Sequence, residues 1–335
     1  MSLLLALAWW TGVVFAATST AYLLLAMACV GAHRADRGPG WGETQAVTVY
    51  KPMCGIEDGL ADALASCLSQ QTTSPVRFVF GFADEADPAL ALAREVSARF
   101  PAVECRFVTD STSHGLNPKV SNLLNMARAV PPSGIVVLSD SDTMMQPGEL
   151  HAAIQALSAP GVGAVTSLYR GYPGIAGDRT RTFGTWLLDY WFLPRSILHS
   201  RLGPLSVTYG PLTAVRGDVF AAIGGFDAIA DEMVDDNALG RLVCEAGYKV
   251  AFSPQIAQTL VNDPGLDELF HHERRWVRVL RAMDPAGFTA SVISHSGPLP
   301  LLMLVHPELW SMAGVAAPIV LRWLLALQVA RRFGK

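Results

Sequence analysis

From Met1 to His33 the chain carries no Asp, Glu, Lys or Arg. The apolar run Leu3–Val30 exceeds the roughly 20 residues that cross the hydrocarbon core of a bilayer. A backbone placed there has no water to bond with, so a single segment must satisfy itself as an α-helix. A cleaved signal peptide is the competing reading and fits poorly. No basic region precedes the run, and the run is too long for the apolar core of a signal. Arg34, Arg37 and Lys51 follow it, whereas nothing basic precedes it. The positive-inside rule then places the N-terminus outside and the following domain in the cytoplasm.

The other end of the chain has two more apolar stretches. Ala286–His306 lacks Asp, Glu, Lys and Arg, but Gly297-Pro298 and Pro300 interrupt it. Leu309–Ala330 is interrupted only by Arg322, and Arg331, Arg332 and Lys335 close the chain. Residues 285–335 therefore read either as a membrane hairpin that returns the basic tail to the cytoplasm, or as a re-entrant piece followed by one span. Helix breakers at membrane depth need protein or water around them, which keeps the second reading open.

The 335 residues allow one catalytic domain of ordinary size beside these segments. Charged residues make up only 16%, and the net charge of −4 supplies no broad basic field, which excludes nucleic acid as a partner. Cys29, Cys54, Cys67, Cys105 and Cys244 show no metal-binding spacing and read as reduced thiols of a cytosolic compartment.

Between the apolar ends, short strands alternate with helices. Ala46–Tyr50, Arg77–Phe82, Glu104–Val108 and Ile135–Ser139 are rich in Val, Ile and Phe and bounded by turn residues. Asp58–Gln70, Pro88–Arg99, Val120–Ala129 and Gly148–Leu157 read as the intervening helices. This alternation predicts an α/β domain with a mostly parallel sheet covered on both faces. The expected plan is an anchor over 1–33, a turn-rich linker over 34–45, a catalytic domain over 46–265, an amphipathic interfacial helix over 266–284, and the membrane segment 285–335.

In open α/β sheets ligands sit beyond the carboxyl ends of strands. Asp140-Ser141-Asp142 follows such a strand, and two carboxylates at i and i+2 can grip a hard cation, Mg²⁺ or Mn²⁺, on a diphosphate. Asp84 ends another strand and suits contact with a nucleoside. Asp87, before Pro88, reads as a helix N-cap. Lys119, in Gly115-Leu-Asn117-Pro118-Lys119, opens a helix where a phosphate is favoured, or is an exposed loop lysine. Asp235 and Asp236 open the helix that ends before Gly247. They either compensate the helix dipole or supply a general base, and the crowding of Asp231, Glu232, Asp235 and Asp236 favours the base. Arg274, Arg278 and Arg281 share one helix face, while Trp276, Val279, Leu280 and Met283 populate another. That pattern also suits a basic helix on anionic lipid. The aromatic segment Phe183–Pro194 fits either a membrane interface or a packed core.

Together these segments resemble the ceramide glucosyltransferase family (glycosyltransferase family 21), a branch of the inverting, GT-A-fold glycosyltransferases, over roughly Tyr50–Met283. The family's first aspartate matches Asp84, its Gly-x-Asn-Pro-Lys segment matches Gly115–Lys119, and its second aspartate matches Asp140. Its third, the proposed catalytic base, matches Asp236 beside Asp235. Its closing (Gln or Arg)-x-x-Arg-Trp motif matches at Arg275 and Trp276, with His272 in the first position. The sequence is also similar to the bacterial hopanoid-associated glycosyltransferases, which implies a bacterial inner membrane. The resemblance implies a UDP-sugar donor (glucose or N-acetylglucosamine), a lipid acceptor (hopanoid polyol or ceramide), surrounding membrane lipids and a GT-A fold. A processive polysaccharide synthase and a non-catalytic membrane scaffold are the rival expectations.

Overall fold

The computed structural model describes residues 3–34, 38–41, 43–174, 178–295 and 297–334. Residues 35–37 and 42 of the expected linker, and Lys335 of the basic tail, lie outside the described residues. The chain divides into two compact units. One comprises Arg34–Thr185 and Gly203–Asn262; the other comprises Met1–His33, Trp186–Leu202 and Asp263–Lys335.

Among the described residues the first unit contains ten strands: β1 (Val47–Pro52), β2 (Val76–Phe82), β3 (Glu104–Thr109), β4 (Ile135–Leu138), β5 (Thr143–Met144), β6 (Val162–Thr166), β7 (Tyr169–Tyr172), β8 (Thr213–Arg216), β9 (Lys249–Phe252) and β10 (Ala257–Leu260). The main sheet has seven strands in the order β3-β2-β1-β4-β8-β6-β9. Only β8 runs against its neighbours β4 and β6; every other pairing is parallel. The chain winds outward from β1 to β3 and then returns to place β4 on the other side of β1. That reversal creates a crevice at the carboxyl ends of β1 and β4, the usual ligand position in such sheets. A small second sheet, β5-β10-β7, is built from strands interleaved with those of the main sheet.

Side-chain alternation along the strands explains why helices cover both faces. Val47, Val49, Phe78, Phe80, Phe82, Ile135 and Val137 point to one face, where Leu60–Leu68, Pro88–Ala98 and Glu149–Ala156 pack. Tyr50, Val79 and Val136 point to the other, against Pro118–Ala129, Gly217–Ala222 and Asp235–Glu245. Asp87 does cap its helix: it accepts from Ala89 N at 2.8 Å, with Pro88 in the first turn. Its carboxylate also accepts from Gly55 N, tying that helix start to the loop after β1. Gly247, at φ +87°, ends the helix Asp235–Glu245 in the left-handed conformation that favours glycine.

In the second unit, Leu3–Ala32 and Leu309–Phe333 are both long and apolar enough to cross a membrane. They run parallel. Trp9 Nε1 donates to Ser311 Oγ at 3.2 Å near one end. Gln328 Nε2 donates to Met27 O at 3.0 Å near the other, where the rings of His33 and Phe333 meet. The arginines of the tail thus lie at the His33 end, and Trp9, Trp10 and Trp310 cluster at the opposite end. Ala286–His306 forms no single long helix. It is built from Pro285–Ala290, Ser291–Ser294 and Pro300–Val305. These pieces climb along the first helix: Ser19 Oγ donates to Ile293 O at 2.9 Å, and Gly12 lies against Met303 so closely that a Cβ would meet its backbone N at 2.7 Å. One side of these pieces packs along Leu3–Ala32, where Ser294, Pro300 and Met303 are buried. Arg322, the one charge in its helix before the terminal Arg331 and Arg332, stacks over Trp191 at 4.3 Å and donates to the Ser294 carbonyl. The aromatic segment continues through a π-helical turn, Leu188–Phe192, into Leu193–Leu202, which packs on Leu3–Ala32.

Glu149 is fully buried in the first unit, where its carboxylate accepts from Gln146 N at 2.8 Å. Burial pushes its pKa up to about 7. A carboxyl raised in this way adds stability while it stays neutral and loses that contribution as pH climbs through about 7. Glu149→Gln keeps the acceptor and cannot ionise. Thermal unfolding should show little difference between the variant and the native protein at pH 5. Above pH 8 the variant should be the more stable by roughly 3 kcal/mol.

Candidate active site

The site is assembled where β4 ends. Ser139 N bonds Tyr50 O of β1 at 3.1 Å, and Asp140 N bonds Gly210 O at 3.2 Å, so the Asp140–Asp142 turn is held from both sides. Gly210 is required by space: a Cβ there would lie 2.0 Å from Asp140 Oδ2. Asp142 is pinned by the second sheet. Thr259 of β10 donates its hydroxyl to Asp142 Oδ2 at 2.7 Å, and Leu260 N bonds the Asp142 carbonyl at 3.0 Å.

Lys119 reaches the same place from the opposite helix. Asn117 caps Pro118–Ala129 through its Oδ1 to Lys119 N and Val120 N. The loop before it is stitched to the segment ahead of Asp235. Asn117 Nδ2 donates to Glu232 O at 2.8 Å, Leu116 N to Asp231 Oδ1 at 2.9 Å, and Asn117 N to Ala230 O at 3.1 Å. This stitching brings the lysine motif and the acidic pair together. Lys119 Nζ lies 2.7 Å from Asp140 Oδ1 and 3.0 Å from Asp235 Oδ2. It is therefore an ion-pair hub rather than an exposed loop lysine, and the acidic neighbours hold it firmly protonated.

Asp236 sits in the first helical turn beside Asp235. Its Oδ1 accepts from Asn237 N at 2.8 Å, and its carbonyl accepts from the Thr208 hydroxyl at 2.6 Å. Burial, with added repulsion from Asp235 and Asp140, lifts its carboxyl to about 7, while Lys119 pulls the other way. Burial and the neighbouring Asp140 lift Asp142 to about 6. Among the described residues no group of three or more His, Cys, Asp or Glu forms a ready-made metal cage. Asp140 and Asp142 nonetheless suit a hard divalent cation that takes its remaining ligands from phosphate and water. The crowded negative charge that raises Asp142 is what such a cation would relieve.

Asp84 lies elsewhere along the same sheet edge, at the end of β2. It lines an open hollow of about 460 Å³ with Ala83, Glu85, Thr109, Asp110 and Ser111. Its Oδ1 accepts from Ala86 N at 2.9 Å. Arg275 and Trp276 belong to the helix Leu266–Met283 of the second unit, where Trp276 is partly exposed.

Several residues of the site escaped the sequence reading. Lys51 is completely buried at the end of β1; its ammonium donates to the Asp140 carbonyl and to Ser139 Oγ, and it forms no ion pair among the described residues. Its positive charge helps to hold the Asp142 pKa down. Tyr169 of β7 is charge-coupled to Asp236, Asp142 and Asp140, and burial keeps its phenol protonated. Thr208, Gly210 and Thr259 hold the carboxylates. The Lys-Pro pair at the strand end was the only local hint of Lys51. Nothing in the sequence near Tyr169, Thr208 or Thr259 marked them.

The sequence matches Glycosyl transferase family 21 over residues 11–335. The chain belongs to that family. Ceramide glucosyltransferase 1 of Caenorhabditis elegans is 25% identical over 244 residues, covering 71% of this chain and 50% of the relative. An N-acetylglucosaminyltransferase of Azorhizobium caulinodans is 24% identical over 231 residues, covering 65% of this chain and 55% of the relative. The family 21 chain spans about half the length of the curated relatives it matches. Among solved structures, the mannosyltransferase PcManGT from Pyrobaculum calidifontis, in complex with GDP-Man and Mn²⁺, superposes with a TM-score of 0.60 at 19% identity. The match covers 95% of this chain and 86% of that one, which establishes a shared GT-A-type fold.

Replacing Lys119 by Met should expose the repulsion it offsets. Asp236 has a raised pKa, so its ionisation costs stability as pH rises through about 7. Without the ammonium that cost grows. The thermal midpoint of Lys119→Met should fall furthest below the native value at pH 8, and the gap should narrow towards pH 5.5. A gap independent of pH would remove Lys119 as the counter-charge of the cluster.

Proposed function

We propose that this family 21 chain is a membrane-anchored inverting glycosyltransferase. It transfers a hexose, glucose or N-acetylglucosamine, from a UDP-sugar to a hydroxyl of a lipid, with a hopanoid polyol or ceramide as acceptor. The observation that carries this reading is the gathering of Asp140, Asp142, Asp235 and Asp236 with Lys119 beyond β4. One carboxyl of that group, Asp236, is poised near neutrality at about 7. A base is most effective when its pKa lies near the working pH.

In this reading Asp84 contacts the nucleoside from its hollow and Lys119 binds the donor. Asp140 and Asp142 would hold Mg²⁺ or Mn²⁺, which when bound would supply positive charge to the diphosphate. The Asp236 carboxylate takes the proton of the lipid hydroxyl as that oxygen bonds to the anomeric carbon. The bond from the anomeric carbon to the UDP oxygen breaks on the opposite face, which inverts the configuration. Asp235 keeps Lys119 in place, and Arg275 and Trp276 serve the acceptor. Lys51 fixes the turn from which both metal-binding carboxylates project. The arginines at the His33 end of the two long helices support a cytoplasmic catalytic unit on the bacterial inner membrane.

Purified protein in detergent with Mg²⁺ or Mn²⁺ should release UDP only when one of the two donors meets one of the two lipids. Polymer in place of a singly glycosylated lipid would favour a synthase. Absence of both UDP release and UDP binding would leave a scaffold. Asp236→Asn should lower turnover by roughly 10²–10⁴-fold while sparing UDP binding. In the native protein turnover should climb with pH through about 7, as Asp236 loses its proton. Gly210→Ala, which pushes the Asp140 carboxylate aside, should cost about 10²-fold in turnover with the fold intact.

A further inference from the structure

Position 272 holds His where the closing motif of the resembled family has Gln or Arg, and the structure gives that difference a specific chemistry. Trp276 Nε1 donates to His272 Nε2 at 2.9 Å, one helical turn away. The other ring nitrogen, His272 Nδ1, lies 3.3 Å from Asp263 Oδ1. An indole N–H can only donate, so Nε2 must present a lone pair. An ionised carboxylate can only accept, so Nδ1 carries the proton. The two partners therefore select a single state of the ring, the neutral Nδ1–H tautomer. A Gln side-chain carbonyl can accept the same indole proton, whereas an imidazolium, with a proton on each nitrogen, cannot.

We infer that His272 is a positioning residue for Trp276. Its neutral imidazole, oriented by Asp263, holds the indole in one place, and protonation of the ring releases it. The inference rests on the proposed role of Trp276 at the acceptor. The ring is open to the solvent that would protonate it, at 41% side-chain exposure, while Asp263 is largely enclosed at 17%. Asp263 faces the ring, Glu273 is coupled to His272 by charge, Glu268 and Arg275 lie one turn away on the same helix, and Arg195 of the helix Leu193–Leu202 acts on Glu273. Glu273, lifted by burial, is itself drawn back down by His272 and Arg195.

The test uses the full chain in detergent and compares the native protein with His272→Gln and Trp276→Phe. Tryptophan emission is followed between pH 8 and pH 5, the interval in which a histidine changes charge. The native protein should show an emission change that both variants lack. In parallel, turnover of native protein relative to His272→Gln should be near one at pH 8 and fall roughly fivefold towards pH 5, the worth of one hydrogen bond. Any acid loss due to Asp236 is common to both and cancels in the ratio. An emission change that persists in Trp276→Phe or in His272→Gln overturns the pairing. A flat turnover ratio with the emission change intact overturns the positioning role. Failure of the proposed reaction shows differently, as no UDP release by the native protein at any pH.

Discussion

Lys119 is the interaction on which the catalytic unit depends. Four carboxylates converge at one end of a parallel sheet, and like charges at that density cannot all ionise in a half-buried site without a counter-charge. Lys119 supplies it from a different helix, bridging Asp140 and Asp235 at 2.7 and 3.0 Å. Much of the surrounding architecture serves that bridge. Asn117 caps the helix that carries the lysine and simultaneously anchors it to the segment leading into the acidic pair. Lys51, buried beneath, holds the backbone of the turn from which Asp140 and Asp142 project. The residual imbalance appears as two raised carboxyls, Asp142 at about 6 and Asp236 at about 7. A carboxyl near neutrality is what a base needs, and surplus negative charge is what a divalent cation needs.

The membrane-type unit solves a different problem by a similar device. A stretch with two prolines and two glycines is a poor candidate for one continuous exposed helix. Here it lies in short pieces along Leu3–Ala32, its polar groups met by Ser19 and Arg322. Because this broken segment climbs to the far end, the two long helices run parallel, and their basic ends coincide.

The strands and helices around the site were legible because their signals are local. Val47–Pro52, Val76–Phe82, Glu104–Thr109 and Ile135–Leu138 lie within two residues of where β-rich runs between turn residues placed them. Asp87-Pro88 marked a cap that the structure contains, and Gly247 marked a helix end. Asp140, Asp142, Asp235 and Asp236 stood out as acids at the ends of such elements. Lys119 was ambiguous, since a lysine after Asn-Pro looks the same exposed or engaged.

By itself, the sequence determined which segments are apolar enough for lipid, which alternate as strand and helix, and which carboxylates lie at strand and helix ends. All of these are set by neighbours along the chain. Only the tertiary structure decided that Lys119 pairs with Asp140 and Asp235, that Thr259 grips Asp142 across 117 positions, and that Lys51 and Tyr169 belong to the same site. It also decided that the two long helices run parallel. The physical reason is range. Hydrophobic period, caps and turns act over a few residues, whereas the electrostatics of this site arise from elements scattered between residues 51 and 259 and brought together by the order in which the strands pair.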